Sequence, residues 1–444
     1  MDRRIIIIVA LILFSIIAAY MLLNFGPSQI MLIPFGFIAI SSVFFSRGIL
    51  IFLALLCLAM VAVPYGDIGK IALQLRWVFL ILFCLHVFGD IFLGRTVRRI
   101  KFFDILAIFF IIYAFLSTAY SSFHRLTLER TVTISILYIS VFWVIWKYAY
   151  EQGQQKVVNV ILQVMWLIFM AGYLMIFIGP YRPFLGGRFA GIFGNPNGLG
   201  VMSAIILPLS LCQFLETKKK SALFLFSMIA LSLLLSAARG SINATVIALA
   251  YLIYVTSKKY RHLVFLASMS FIFILIWAIE TLIKQFFLHY IRVESIPILG
   301  GRLEVWPVAI KLIMDKPLFG YGFGTEDKLL ALKQIVLTKH SGAYIHNSYL
   351  GMLLQLGLPG FIIFFIPLFI LLFKELFSKQ ESQTPLLRYA LRASLIAGLI
   401  CCFYESWIYS VGNAMAFPFW IIVMLLTFYR YQDKEKSVVD SMGT

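Results

Sequence analysis

Residues 346–373 read HNSYLGMLLQLGLPGFIIFFIPLFILLF, 28 residues without a single lysine, arginine, aspartate or glutamate. A helix needs about 20 mostly apolar residues to cross a hydrocarbon core about 30 Å thick. As a straight helix this stretch would be ~42 Å long at 1.5 Å per residue, so it must tilt or break. Gly357, Pro359 and Gly360 supply the break. Asn347 and Ser348 are helix-capping residue types, so the first half, opened by His346, is expected to be held at one membrane surface by the second.

The same pattern fills the chain. Of 444 residues, 62% are hydrophobic and 13% charged, against roughly 45–50% and about 25% in an average soluble domain. So little polar surface cannot cover a soluble protein of this length. The expected fold is all-α, a polytopic helical membrane bundle with one large loop that contains short helices. Fourteen apolar stretches qualify as spans, at about 5–23, 29–45, 48–64, 75–93, 104–120, 131–149, 157–179, 197–215, 221–238, 241–256, 262–280, 346–373, 388–406 and 412–430. The second and third are short enough to form one re-entrant pair, which gives 12–14 spans. The first, behind Arg3 and Arg4, reads as a retained signal anchor. The organisation expected is an N-terminal set of transmembrane helices over 1–180, a second membrane region over 181–430 that includes the long loop at 281–345, and a tail at 431–444.

The net charge of +18 does not indicate a nucleic-acid binder, because the basic residues stand in short groups between apolar runs. It does orient the chain. Basic residues concentrate in short cytoplasmic loops, and with the N-terminus inside, 21 fall on the cytoplasmic side against seven in the short outer loops. Lys218–Lys220 and Lys258–Arg261 both lie inside in this orientation. The 65-residue connection 281–345 then lies outside, and a connection this long in a compact protein usually carries function. Residues 302–316 within it read as an amphipathic helix after Gly300-Gly301, ended by Lys316-Pro317, with Gly320, Gly322 and Gly324 alternating in a turn. The five cysteines all lie in apolar runs and suggest neither a disulfide framework nor a metal site.

With this topology the informative polar residues share the outer side. They are Arg182 and Arg188, then Asn195 and Asn197 around Pro196, then Arg239 in the tight turn Ser236–Ser241. Arg302, Glu304 and Trp306 follow in the long loop, His346 and Asn347 at its re-entry, and Tyr404 and Glu405 at the end of the thirteenth span. Arg239 reads either as an interfacial arginine with its stem in the bilayer or as a phosphate clamp, since guanidinium donors match phosphate oxygens. Arg188 reads as an exposed loop residue or a second anion ligand. Arg302 is either paired with Glu304 or placed with the free N–H groups of its helix start to favour an anion. Asn195 and Asn197 most simply make a turn and a cap, with sugar contact as the second reading. A lone histidine is more often structural than catalytic, but His346 sits where the long loop re-enters the membrane and can take a proton from a hydroxyl near neutral pH. Phosphate-loop, metalloprotease and Asp-x-Asp signatures are missing, so neither an ATP-driven nor a metal-dependent mechanism has support and no cofactor is expected.

The spacing His346-Asn347-x9-Gly357-x-x-Gly360 resembles the His-[Asn/Ser/Gln]-x9-Gly-x-x-Gly signature of bacterial O-antigen ligases, within a superfamily that also holds O-antigen and exopolysaccharide polymerases. Gly191–Asn197, Leu235–Gly240, Arg302–Trp306 and Pro317–Gly322 look like further superfamily features, so the resemblance covers about residues 185–365. One departure is Ala237-Ala238, where a small polar pair is expected before the arginine. The resemblance implies a glycosyltransferase of the bacterial inner (cytoplasmic) membrane with its active site facing the periplasm. Its donor would be a glycan on undecaprenyl pyrophosphate and its acceptor lipid A–core, in a setting of membrane lipids and lipopolysaccharide biosynthesis. His346 would deprotonate the acceptor, and Arg239 and Arg302 would stabilise the departing diphosphate. Arg188, Asn195, Asn197, Trp306, Asn347, Tyr404 and Glu405 would contact substrate, the reaction would invert the anomeric carbon, and no metal would be required. A polymerase or a protein O-oligosaccharyltransferase of the same superfamily shares donor and mechanism and differs in acceptor. A polysaccharide flippase or transporter would need a polar path through the bilayer or an inverted repeat, and the sequence shows neither.

Overall fold

Eleven of the fourteen expected spans fall on residues that the computed structural model describes, and all eleven are helices. The described residues are 47–64, 67–94, 98, 100–178, 183–257, 262, 302–332, 345–377, 385–410 and 413–428, with backbone only at 302–304, 331 and 332. The expected spans at 5–23, 29–45 and 262–280, the signal anchor and the tail 431–444 lie outside them.

In chain order the helices are α1 (Arg47–Met60), α2 (Ile68–Phe92), α3 (Phe102–Leu116), α4 (His124–Gln152), α5 (Gln154–Leu174), α6 (Pro196–Thr217), α7 (Lys220–Ser236) and α8 (Arg239–Thr256). Then follow α9 (Arg302–Asp315), α10 (Glu326–Leu332), α11 (Ser348–Leu376), α12 (Leu386–Tyr404) and α13 (Ala416–Phe428). Eight of these are long and apolar enough to span a membrane, and α1, α7 and α13 are shorter apolar helices. The chain is an all-α polytopic membrane protein. The strands described amount to one antiparallel hairpin between α5 and α6, Phe184–Leu185 against Arg188–Phe189.

Burial separates the centre of the bundle from its rim. In α6, 78% of the apolar window is buried, and in α12, 72%, whereas α3 buries 22% and leaves Phe109, Ile112 and Phe115 exposed. Apolar side chains exposed on that scale belong against lipid acyl chains. α6 packs on α7, α8 and α12 at the centre. Lipid is as apolar as the helices, so close backbone approach rather than the hydrophobic effect holds such contacts together. Gly200 meets Ala238, Gly240 meets the Tyr404 ring and Gly398 meets Phe419, each without room for a Cβ.

α11 breaks where the sequence places the break. Gly357 has φ 62° and ψ −167° inside an otherwise helical run, a conformation glycine adopts at no steric cost. The backbone groups freed there are taken up by the glycine turn that follows α9. Leu358 N donates to Pro317 O at 2.8 Å, Tyr321 N to Leu354 O at 3.0 Å and Gly322 N to Gln355 O at 2.8 Å. Irregular backbone at membrane depth is tolerated when protein groups satisfy it in this way. Two features that lie far apart in the sequence, the loop glycines and the helix break, are one piece of structure.

α9 and α10 form a small core of their own over the start of α11. Val305, Ala309 and Leu312 of α9 pack with Leu329 and Leu330 of α10 and with Ile345 and Leu354. The opposite end of the bundle carries a buried cluster in which Glu375 accepts from Arg388 at 3.0 Å and from Arg392 at 2.8 Å.

Candidate active site

The end of the bundle under α9 and α10 gathers the N-termini of α6, α8 and α11 and the C-termini of α7 and α12. Local sequence fixes each entry. Asn195 caps α6, its side chain accepting from Asn197 N at 2.9 Å and Gly198 N at 3.4 Å, with Pro196 in the first turn. Asn347 caps α11 in the same way, accepting from Tyr349 N at 2.9 Å and Leu350 N at 3.1 Å. Ala237 closes α7 in the left-handed region at φ 46°, so that α8 starts two residues later at Arg239.

His346 itself has φ 53°. A non-glycine residue in this region is uncommon and costs strain that its surroundings must hold. They do so on both sides. Asn347 N donates to Ser406 Oγ at 3.1 Å, and Ser348 Oγ donates to Glu405 O at 2.7 Å. Trp306 Nε1 donates to the carbonyl of Ile345 at 3.1 Å, and Ile345 N donates to Glu326 Oε1 at 2.8 Å. The imidazole is pinned as well. His346 Nδ1 lies 2.7 Å from Glu405 Oε2, the two side chains being 25% and 15% exposed. In the tautomer that carries its proton on Nδ1, the ring donates to this carboxylate and has its lone pair on Nε2.

Glu405 is held in turn. Asn197 Nδ2 donates to Glu405 Oε1 at 2.8 Å, and Arg188 Nη2 donates to Asn197 Oδ1 at 2.6 Å. Arg188 Nε also donates to Ser236 O at 2.7 Å, which ties the hairpin to the turn that precedes Arg239. A hydrogen-bonded line therefore runs Arg188–Asn197–Glu405–His346. It orients the ring and provides negative charge for an imidazolium that forms beside it.

His346 and Glu405 open on a cavity of about 450 Å³. Of the residues expected from the sequence, His346, Glu405 and Asn195 line it; Arg239, Arg188, Asn197, Trp306, Asn347 and Tyr404 do not. Arg239 is half-buried at the first turn of α8. Arg302 opens α9 and its side chain lies outside the described residues. Arg188, Asn197, Trp306 and Asn347 make the scaffold bonds given above, and Tyr404 packs against Gly240 and Phe403.

Sequence reasoning missed two parts of this site. One is Glu326 at the start of α10. It is buried and accepts from Tyr409 Oη at 2.6 Å and Ser406 Oγ at 2.9 Å besides Ile345 N. Burial pushes its carboxyl up from the usual range, while these donors pull it back; burial and the neighbouring Glu326 also push the Tyr409 phenol well up. The other is the far wall of the cavity, which comes from α2 and α4 and includes Arg76, Trp77 and Arg130. Arg130 is paired with Asp327 at 3.0 Å and also donates to the Gly324 carbonyl. No motif joins residues 76 and 130 to residue 346, so only tertiary contact could reveal this wall.

The comparisons with known proteins agree with the resemblance. Over 182 residues, 38% of this chain, the sequence is 25% identical to the ComP-specific O-oligosaccharyltransferase of Acinetobacter baylyi (strain ATCC 33305 / BD413 / ADP1). The match spans about a third, 32%, of that relative's length. A family model described as O-antigen ligase matches residues 223–365, the stretch that contains Arg239, Glu326, His346 and the break at Gly357. The chain is thus a multi-pass membrane protein whose residues 223–365 are similar to the family described as O-antigen ligase.

Proposed function

We propose that the chain is an O-antigen ligase, which transfers a glycan from undecaprenyl pyrophosphate to lipid A–core at the periplasmic face of the inner membrane. The observation that carries this reading is the His346–Glu405 pair on the cavity wall, with the imidazole braced through Nδ1. In the reaction, Nε2 takes the proton of the acceptor hydroxyl as its oxygen attacks the anomeric carbon. The bond from that carbon to the diphosphate breaks, and its electron pair leaves on the diphosphate oxygen. Arg239 and Arg302 stabilise the charge that accumulates there. Attack opposite the leaving group inverts the anomeric carbon. The diphosphate is a good leaving group without an acid, so the chemistry requires no metal. Residues 181–430 form the catalytic region in this reading, and 281–345 face the periplasm.

The test is in vitro transfer by the purified full chain from lipid-linked donor to lipid A–core, with excess chelator present. Wild-type transfer with inversion is expected, and its loss in His346→Ala. Failure of the wild type to transfer to lipid A–core would remove the ligase reading.

The name of the Acinetobacter relative favours a second acceptor, a protein, with the same donor and the same base. A polymerase, with a second lipid-linked repeat unit as acceptor, is the remaining relative in mechanism. A deletion strain separates these readings: loss of all core-attached O-chain indicates a ligase, a single repeat unit left on the core a polymerase, and loss of glycan from a protein an oligosaccharyltransferase.

A further inference from the structure

We propose that the cavity beside His346 is the acceptor pocket, and that Arg76, with Trp77, holds an acidic substituent (a phosphate or a carboxylate) of the acceptor sugar. The inference rests on the transfer reading above and assigns a part of the chain outside the family match.

The charges on the walls point to an anion. Arg76 is the ninth residue of α2, a helix apolar enough to span the membrane. A guanidinium in such a helix is costly unless it faces a partner or a wet cavity, and it marks a functional position by default. Its Nε is buried and has no hydrogen-bond partner. Its guanidinium carbon lies 5.4 Å from the centroid of the Trp77 ring. The other charged groups around the cavity are already matched: Arg130 with Asp327, Glu129 with Arg125, and Glu405 with His346. The oxygens of Glu326 accept from Tyr409, Ser406 and Ile345. A second orphan points the same way. Trp407, also on the cavity wall, has a buried Nε1 with no partner. Both orphans are donors, so what is missing is an acceptor, and a buried donor left unsatisfied costs about 1–3 kcal/mol.

Position decides which substrate brings that acceptor. A base must touch the hydroxyl that it deprotonates, and His346 lines this cavity, whereas Arg239 does not. Acceptor and donor therefore meet at His346 from different sides. An indole beside a guanidinium suits a sugar carrying an acidic group: the ring covers the apolar face and the fork holds two oxygens. Since α2 and α4 supply the far wall, acceptor specificity is encoded in the N-terminal spans, while residues 223–365 hold the base and Arg239.

The experiment has two arms, run on the purified full chain with Arg76→Gln and Arg76→Lys. The first needs no turnover: thermal melting is followed with glucose 6-phosphate, galacturonate and neutral glucose. The two charged sugars should raise the melting temperature of the wild type, glucose should not, and the shift should disappear in Arg76→Gln and persist in part in Arg76→Lys. No shift with either charged sugar, or an equal shift in Arg76→Gln, would overturn the proposal and leave the orphan donors to water. The second arm compares transfer to lipid A–core before and after enzymatic dephosphorylation. Arg76→Gln should lower kcat/KM for the phosphorylated acceptor about 10- to 100-fold, as expected for one lost charge-assisted bond, with the donor KM unchanged. The difference from wild type should nearly vanish on the dephosphorylated acceptor; an equal loss on both would make Arg76 a structural residue and overturn the proposal. If wild type transfers to neither form, the ligase reading fails, and the melting arm still decides Arg76.

Discussion

His346 Nδ1 and Glu405 Oε2 stand 2.7 Å apart although 59 residues separate them in the chain. Each closes or opens a different helix, and the pair joins the start of α11 to the end of α12. The carboxylate favours the tautomer with its proton on Nδ1, and under the proposed reaction it would also favour the imidazolium.

His346→Ala should lower transfer roughly 100- to 10,000-fold, the usual contribution of a positioned base. The protein should still fold and still bind the lipid-linked donor. Glu405→Gln keeps the shape and can present an amide N–H to Nδ1, so it favours the wrong tautomer; its loss should approach that of His346→Ala, and the double variant should be little worse than either single one. Transfer rates beside a donor-binding assay check this. Full activity in His346→Ala would remove the base assignment.

Arg239→Ala and Arg302→Ala should each reduce transfer at unchanged membrane levels, and lysine should restore neither fully, because an ammonium cannot hold two diphosphate oxygens as a fork does. Wild-type rates in both alanine variants would place the diphosphate elsewhere. Immunoblots of membranes and in vitro transfer measure the two quantities.

Gly357→Ala should destabilise the protein by about 1–3 kcal/mol through the positive φ alone, and more through crowding. The added methyl would meet the carbonyls of Pro317 and Leu318. The prediction is a lower melting temperature in detergent together with reduced transfer, since the loop it displaces leads into α10. A variant that melts and transfers like wild type would show that the turn does not brace the break.

Glu326 gives a pH signature. Its folded pKa is raised above the ordinary value of 4.5, chiefly by burial. The native state therefore binds this proton more tightly than the unfolded chain, and that contribution is present below 4.5 and lost as pH rises through the folded value. Glu326→Gln cannot ionise. Its melting temperature relative to wild type should increase as pH is raised from below 4.5 to neutrality. A difference that stays constant with pH would mean that Glu326 titrates alike in both states.

Membrane sidedness can be read with single cysteines at Lys219 and Lys328, both exposed positions. Four of the native cysteines are buried and Cys84 is half-buried, so background labelling should be low. An impermeant thiol reagent applied to cells with a permeabilised outer membrane should label position 328 and spare 219. The reverse pattern would invert the topology and move the site to the cytoplasmic side.

Much of this was legible in the residues. The apolar runs gave every span that the described residues contain, because a bilayer imposes a length and a composition on any helix that crosses it. Asn195 and Asn347 were readable as caps, and Gly357 with Pro359 as a break, because those effects act within one turn of backbone. Arg239, His346 and Glu405 could be named from their place at span ends.

What Glu405 does could not. As a sequence feature it was one of several polar residues expected to touch substrate; in the structure it pairs with His346, Asn197 holds it, and Arg188 holds Asn197. The Glu326 cradle and the wall of Arg76 and Trp77 were equally out of reach. Local sequence determines where a helix starts, stops and crosses the membrane, since these depend on neighbours in the chain. Which helix ends converge, and so which donor meets which acceptor, is decided by packing among α6, α8, α11 and α12, where residues 59 to 208 positions apart come within hydrogen-bond distance. That pairing rests on shape and hydrogen-bond satisfaction in three dimensions, to which no spacing along the chain corresponds.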